Sequence, residues 1–184
     1  MTTFSRLAAL VFGVLMMTLC VVIAAETVLR KFFSSSLAGV DELSGYAIAV
    51  AAPLTFAVAL VEQSHIRINL LHMKMPAWMQ AAANALAAIA LGALALFLFV
   101  FSWRTVAETR DYQSIAQTPW ATPLIIPQTV WLVGMAVFTL VALGLAAKAT
   151  LLALRGNGTA LRREFGPDSV EEELAAELED LERR

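Results

Sequence analysis

Charge is scarce in this chain, and so are the residues that build chemical centres. Only 15% of the 184 residues are charged and 59% are hydrophobic, whereas about a quarter of an average soluble domain is charged. The net charge of -2 gives no basic footprint for nucleic acid. The single cysteine, Cys20, excludes a disulfide framework within the chain and is interpreted as a small apolar residue. The composition favours a lipid bilayer as the solvent.

Histidine is almost as rare, and its placement argues against metal and haem. His65 and His72 lie in one polar connection, from Glu62 to Pro76, with no cysteine beside them. That is too few ligands for a zinc site, and haem in a membrane bundle needs histidines on different spans. No paired carboxylates, activated nucleophile or glycine-rich phosphate loop can be assembled either. We therefore expect no metal, no cofactor and no enzymatic activity.

Long apolar runs dominate what is present. Each is as long as the roughly 20 residues needed to cross a hydrocarbon core about 30 Å thick. They run from about Leu7 to Leu29, Leu43 to Val61, Trp78 to Trp103 and Pro127 to Leu154. The sequence thus predicts an all-α integral membrane protein, with a four-helix transmembrane domain over residues 1–155 and a polar tail over 156–184.

The first run is interpreted as an uncleaved anchor, because about 19 apolar residues precede Glu26 and a cleavable signal has fewer. The Lys/Arg distribution predicts that both termini are cytoplasmic. With that orientation the inside carries Arg6, Arg67, Lys74, Lys148, Arg155, Arg162 and Arg163, and the outside carries Arg30, Lys31, Arg104 and Arg110.

Two connections have a local signature. Prolines at 119, 123 and 127 prevent a continuous helix before the fourth span, and Pro127 suits its first turn. In the tail, Gly156-Asn157-Gly158 breaks the helix, and Ser169-Val-Glu-Glu172 fits a capping box that opens an acidic helix ending near Leu181. Whether that acidic helix docks on a partner or stays solvated is left open.

Acidic residues at span ends have two interpretations. Glu26, near the end of the first span, either forms an ion pair with Arg30 at the i+4 position or serves as a proton or cation site, as in small multidrug exporters. Asp41 and Glu42 precede the second span, where acidic residues suit the positive end of a helix. One of them could instead face a basic partner surface.

Taken in order, these segments resemble the small membrane subunits of tripartite ATP-independent periplasmic (TRAP) transporters. The likeness covers about Leu10 to Leu154. It is carried by Val28-Leu-Arg30-Lys-Phe-Phe33, by Asp41-Glu42, by Glu62-Gln-Ser-His65-Ile-Arg-Ile68-Asn-Leu-Leu71 and by Ile125-Ile-Pro127. The third segment is similar to that family's His-Ile-x-Val segment and is the most specific of the four.

The resemblance implies a partner role in the bacterial inner membrane. Such a subunit braces a much larger permease that holds the sodium and substrate sites, while a periplasmic solute-binding protein delivers an organic acid, often a carboxylate. The chain itself is expected to bind no substrate. The residues it suggests for contacts or structure are Arg30, Lys31, Asp41, Glu42, His65, Arg67 and Pro127.

Overall fold

A computed structural model describes residues 3–61, 72, 74–166 and 178. Its architecture is all-helical, and four of the described helices are long and apolar enough to cross a membrane. The helices are α1 (Thr3–Phe33), α2 (Val40–Val61), α3 (Ala77–Tyr112), α4 (Ile125–Leu154) and α5 (Gly158–Phe165). The four predicted spans are confirmed. The predicted acidic helix after Ser169 falls almost wholly outside the described residues, and the orientation of the termini stays a prediction.

Two helices run further than hydropathy indicated. α1 continues to Phe33 and α3 continues nine residues beyond Trp103, to Tyr112. Hydropathy marks where a segment stops being apolar, but a helix with satisfied backbone bonds can continue into a polar medium. At 1.5 Å per residue, the 36 residues of α3 are about 54 Å long, well beyond a hydrocarbon core of about 30 Å.

The chain divides into two compact units, which are described separately: residues 1–65 with 92–144, and residues 66–91 with 145–184. In the first unit α1 packs against α2, burying Leu19 and Ala47. The part of α3 within this unit is tied to α4 by two hydrogen bonds. Thr139 Oγ1 donates to the carbonyl of Ala95 at 3.0 Å, and Trp131 Nε1 donates to Ser102 Oγ at 3.1 Å.

α2 and α4 come into close contact at a proline and a glycine. A Cβ at Gly134 would lie 2.7 Å from Pro53 Cβ, so only glycine fits there without displacement. One turn further along both helices, the rings of Phe56 and Phe138 are 6.0 Å apart between centroids. Small residues at a crossing let membrane helices approach, and van der Waals contact then holds them together.

The second unit contains α5, which the sequence reasoning did not predict. Asn157 caps it, with Oδ1 accepting from the Ala160 amide at 3.1 Å. Leu161 and Phe165, one helical turn apart, are buried against three alanines, Ala81, Ala85 and Ala149. An ion pair of 2.5 Å between Lys148 and Glu164 adds a polar contact between α4 and α5.

Candidate interaction surface

Glu26 is the polar centre of the connection between α1 and α2. The residue is only 6% exposed. Its carboxylate accepts hydrogen bonds from Arg30 Nη2 at 2.7 Å, from Ser36 Oγ at 2.7 Å and from the Leu37 amide at 2.5 Å. The predicted i+4 ion pair with Arg30 is confirmed. The two loop donors were not predicted, because residues ten and eleven positions away meet Glu26 only after the chain has turned back.

Because the chain turns back here, the last turns of α1 extend beyond the connection to α2. Ser36 and Leu37 return to the level of Glu26, although α1 continues seven residues further, to Phe33. Seven residues of helix span about 10 Å. The projecting turns expose two cations, Arg30 and Lys31, and two large aromatic side chains, Phe32 at 72% and Phe33 at 70%.

In the connection between α3 and α4 the chain folds back on itself, and its two halves are hydrogen-bonded to each other. The amide of Ala116 donates to the Thr122 carbonyl at 2.9 Å, and the amide of Leu124 donates to the Ser114 carbonyl at 3.0 Å. Pro119 and Pro123 lie within this segment, where the chain is non-helical as predicted. Part of its backbone is therefore paired within the connection itself.

The two connections are joined to each other. Gly39 has a φ of +91°, and a Cβ on it would overlap Trp120 Cε2, so the indole occupies the space that any side chain would need. Thr118 Oγ1 donates to Glu42 Oε1. Residues 34–39 and 113–124 thus form one surface, which we call the paired-loop platform.

Asp41 and Glu42 have different surroundings, although they are adjacent in sequence. Asp41 is exposed, whereas Glu42 is 6% exposed. Glu42 Oε1 accepts from Thr118, and Oε2 is buried with no hydrogen-bond partner among the described residues. Asp41 is therefore at the surface, whereas Glu42 connects the start of α2 to Thr118 of the second loop.

Replacing Glu42 with alanine is expected to loosen the platform, because Thr118 loses its acceptor and a buried volume is emptied. We expect a lower midpoint of thermal unfolding and faster proteolytic cleavage within residues 113–124. Asp41→Ala is the matched control and should leave both unchanged. Equal behaviour of the two variants would contradict the role assigned to Glu42.

The other residues predicted from the sequence add little to the description of this surface. His65 and Arg67 lie outside the described residues. Pro127 is the third residue of α4, in its first turn. His72, which was considered only as a metal ligand, shares a hydrogen bond of 3.1 Å between its Nε2 and Asn84 Oδ1. Asn84 is 8% exposed, and nothing in the sequence pattern singled it out.

A groove of about 460 Å³ opens beside Glu26, between α1 and α2. Its polar wall consists of Glu26, Thr27, Arg30, Lys31, Asp41 and Ser44. The wall carries two acidic and two basic side chains. The groove is an open cleft next to the platform and adds polar surface to it.

Four apolar helices of spanning length define the class: a multi-pass integral membrane protein. Residues 19–151 match the family described as tripartite ATP-independent periplasmic transporters, DctQ component. Because the match covers more than half of the chain, the protein belongs to this family. It is therefore a small permease subunit of a TRAP transporter in the bacterial inner membrane. No curated protein matches the chain.

Proposed function

We propose that this subunit is a static scaffold for a sodium-coupled importer of an organic acid. It braces a large permease subunit inside the membrane, and a periplasmic solute-binding protein docks beside it. The observation that carries the proposal is the paired-loop platform. Its two loops are fixed to each other by the contact of Trp120 with Gly39 and by the hydrogen bond from Thr118 to Glu42, which suits a part that stays still while its partner moves.

The lateral faces of the helices suit a membrane partner. Only 11% of the most apolar window of α1, and 17% of that of α3, is buried inside the chain. Both helices therefore offer long apolar faces for lipid or for the helices of another protein. We assign the permease to part of this surface, and the sodium and substrate sites to the permease.

The platform suits a soluble partner. With the predicted orientation it faces the periplasm with exposed Trp120, and the neighbouring helix ends carry exposed Arg30, Lys31, Phe33 and Asp41. Aromatic and arginine side chains contribute strongly to protein interfaces. We assign docking of the binding protein to these residues and a headgroup or partner contact on the inner loop to His65 and Arg67.

The alternative is a self-sufficient exporter that uses Glu26. A carboxylate that exchanges protons or cationic substrate needs an oxygen that its own chain does not already occupy. Both oxygens of Glu26 accept hydrogen bonds from Arg30, Ser36 or Leu37. This arrangement supports the scaffold over the exporter.

Purification of the tagged chain from its native membrane in a gentle detergent tests the proposal. We expect a large many-span permease to be recovered in near-equal amount, identified by mass spectrometry. Arg30→Ala and Lys31→Ala together should leave that recovery unchanged but weaken uptake driven by the binding protein. Recovery of the chain alone, as a homo-oligomer, would overturn the scaffold and favour the exporter.

A further inference from the structure

α5 raises a question that the family assignment does not answer. It occupies residues 158–165, beyond the matched region 19–151. Its apolar side is fully used inside the second unit, since Leu161 and Phe165 are buried on Ala81, Ala85 and Ala149. What the helix presents outward is therefore its polar side.

That polar side is basic. Arg163 lies about 200° around the helix from Leu161, opposite the buried face, and it is exposed. Arg162 lies about 100° from Leu161 and is half-buried. Arg155, which directly follows α4, is exposed as well. We call Arg155, Arg162 and Arg163 the α5 arginine patch.

The arginines of the patch have no carboxylate partner among the described residues. Within the described part of the chain the ion pairs are Arg30–Glu26 and Lys148–Glu164, so none of the three arginines is paired with a carboxylate there. Glu164 is the acidic residue within α5, and its carboxylate is paired with Lys148 at 2.5 Å. The patch therefore carries a net positive charge.

Apolar side chains place the patch at the level of lipid headgroups. Leu154, the last residue of the spanning helix α4, is 81% exposed, and Arg155 follows it directly. In the same unit Trp78 is 72% exposed near the start of α3. Exposed indole and leucine beside arginine are typical of the boundary between hydrocarbon and headgroups. Arginine at this boundary is attracted by the negative charge of anionic headgroups.

We propose that the α5 arginine patch binds the phosphate of an anionic phospholipid, and that α5 is the element that positions it. A polybasic segment next to a membrane helix gains about fivefold in affinity for an anionic surface for each arginine. Binding of this lipid does not depend on the scaffold function. A solitary subunit would bind such a lipid equally well.

The chain also carries a competitor for the patch. Residues 167–184 include eight carboxylates and two arginines. In the whole chain of 184 residues, lipid must therefore bind in the presence of a tethered negative segment. The experiment consequently uses the full chain, so that any competition is included in the result.

Native mass spectrometry tests the proposal on full-length protein released from bilayers of equal parts phosphatidylglycerol and phosphatidylcholine. We expect the parent chain to retain phosphatidylglycerol selectively. Changing all three arginines to glutamine should reduce that retention on the order of 100-fold, the product of about fivefold for each arginine. Arg104→Gln with Arg110→Gln, in the other unit, is the matched control and should retain lipid as the parent does.

Two further arms distinguish a charge-dependent lipid site from a site for a soluble anion. The charge-preserving change of the three arginines to lysine should keep most of the retention, and a loss equal to that of the glutamine variant would contradict a charge-based site. Inorganic phosphate should not displace the lipid, and displacement by it would assign the patch to a soluble anion. Unchanged phosphatidylglycerol retention in the glutamine variant would overturn the proposal.

Discussion

Replacing Gly134 with leucine is expected to give a chain that hardly accumulates in the membrane. Gly134 lies at the crossing of α2 and α4, where even a Cβ would come within 2.7 Å of Pro53 Cβ. The obstructing atom belongs to a proline ring that cannot rotate away, so the helices must separate. Overpacking of a tight contact costs about 1–3 kcal/mol of unfolding free energy and at times more, and separation would also disturb the neighbouring ring contact of Phe56 with Phe138.

Gly144 supplies the control for this prediction. It lies on the same helix, and a Cβ there would meet nothing within 4 Å. Gly144→Leu should therefore accumulate and unfold like the parent chain. The measurement is the amount of folded protein in the membrane fraction together with the midpoint of thermal unfolding in detergent. Equal losses for both variants would show that the bundle has no specific crossing at Gly134.

Glu26→Ala is expected to destabilise the connection between α1 and α2 more than the replacement of any other charged side chain in that connection. The change removes the acceptor of the Ser36 hydroxyl, of the Leu37 amide and of the Arg30 guanidinium at once. Donors left without an acceptor cost more than the bonds themselves contribute. We expect a clearly lower unfolding midpoint and faster amide exchange over residues 34–39. Glu108→Ala, at an exposed position of α3, is the control.

Glu26→Gln separates a structural role from a transport role. Glutamine keeps an oxygen that can accept from Ser36 or Leu37, so we expect partial stability and uptake close to that of the parent complex. An exporter that depends on the carboxylate would instead lose transport completely. A glutamine variant that folds and assembles like the parent chain but does not support transport would contradict the structural role.

Local patterns were sufficient for the spans and for one contact. The apolar runs predicted four helices, and the prolines between α3 and α4 predicted a break. The i+4 spacing predicted the pair of Glu26 and Arg30. Each of these depends on residues within one helical turn or one continuous run. No knowledge of the fold was needed.

Contacts between distant residues could not be predicted in this way. Glu42 and Thr118 are 76 positions apart, and in the sequence each of them was equally suited to face solvent. Only the packing of the loops decides that Glu42 is buried while Asp41 is not. α5 is a different case, because Asn157 as a cap and the four-residue spacing of Leu161 and Phe165 were visible in the sequence. A helix of eight residues is simply too short for a periodicity search to detect easily.

The contact between Gly39 and Trp120 has an evolutionary consequence. The indole lies where the side chain of residue 39 would be, so a tryptophan at position 120 requires a glycine at position 39. A smaller residue at 120 would not by itself admit a side chain at 39, because the φ of +91° strains residues other than glycine. Relatives that build the same surface should therefore keep the glycine even where the tryptophan has been replaced, and a tryptophan at the second position should be inherited only with a glycine at the first, although the two are far apart along the chain.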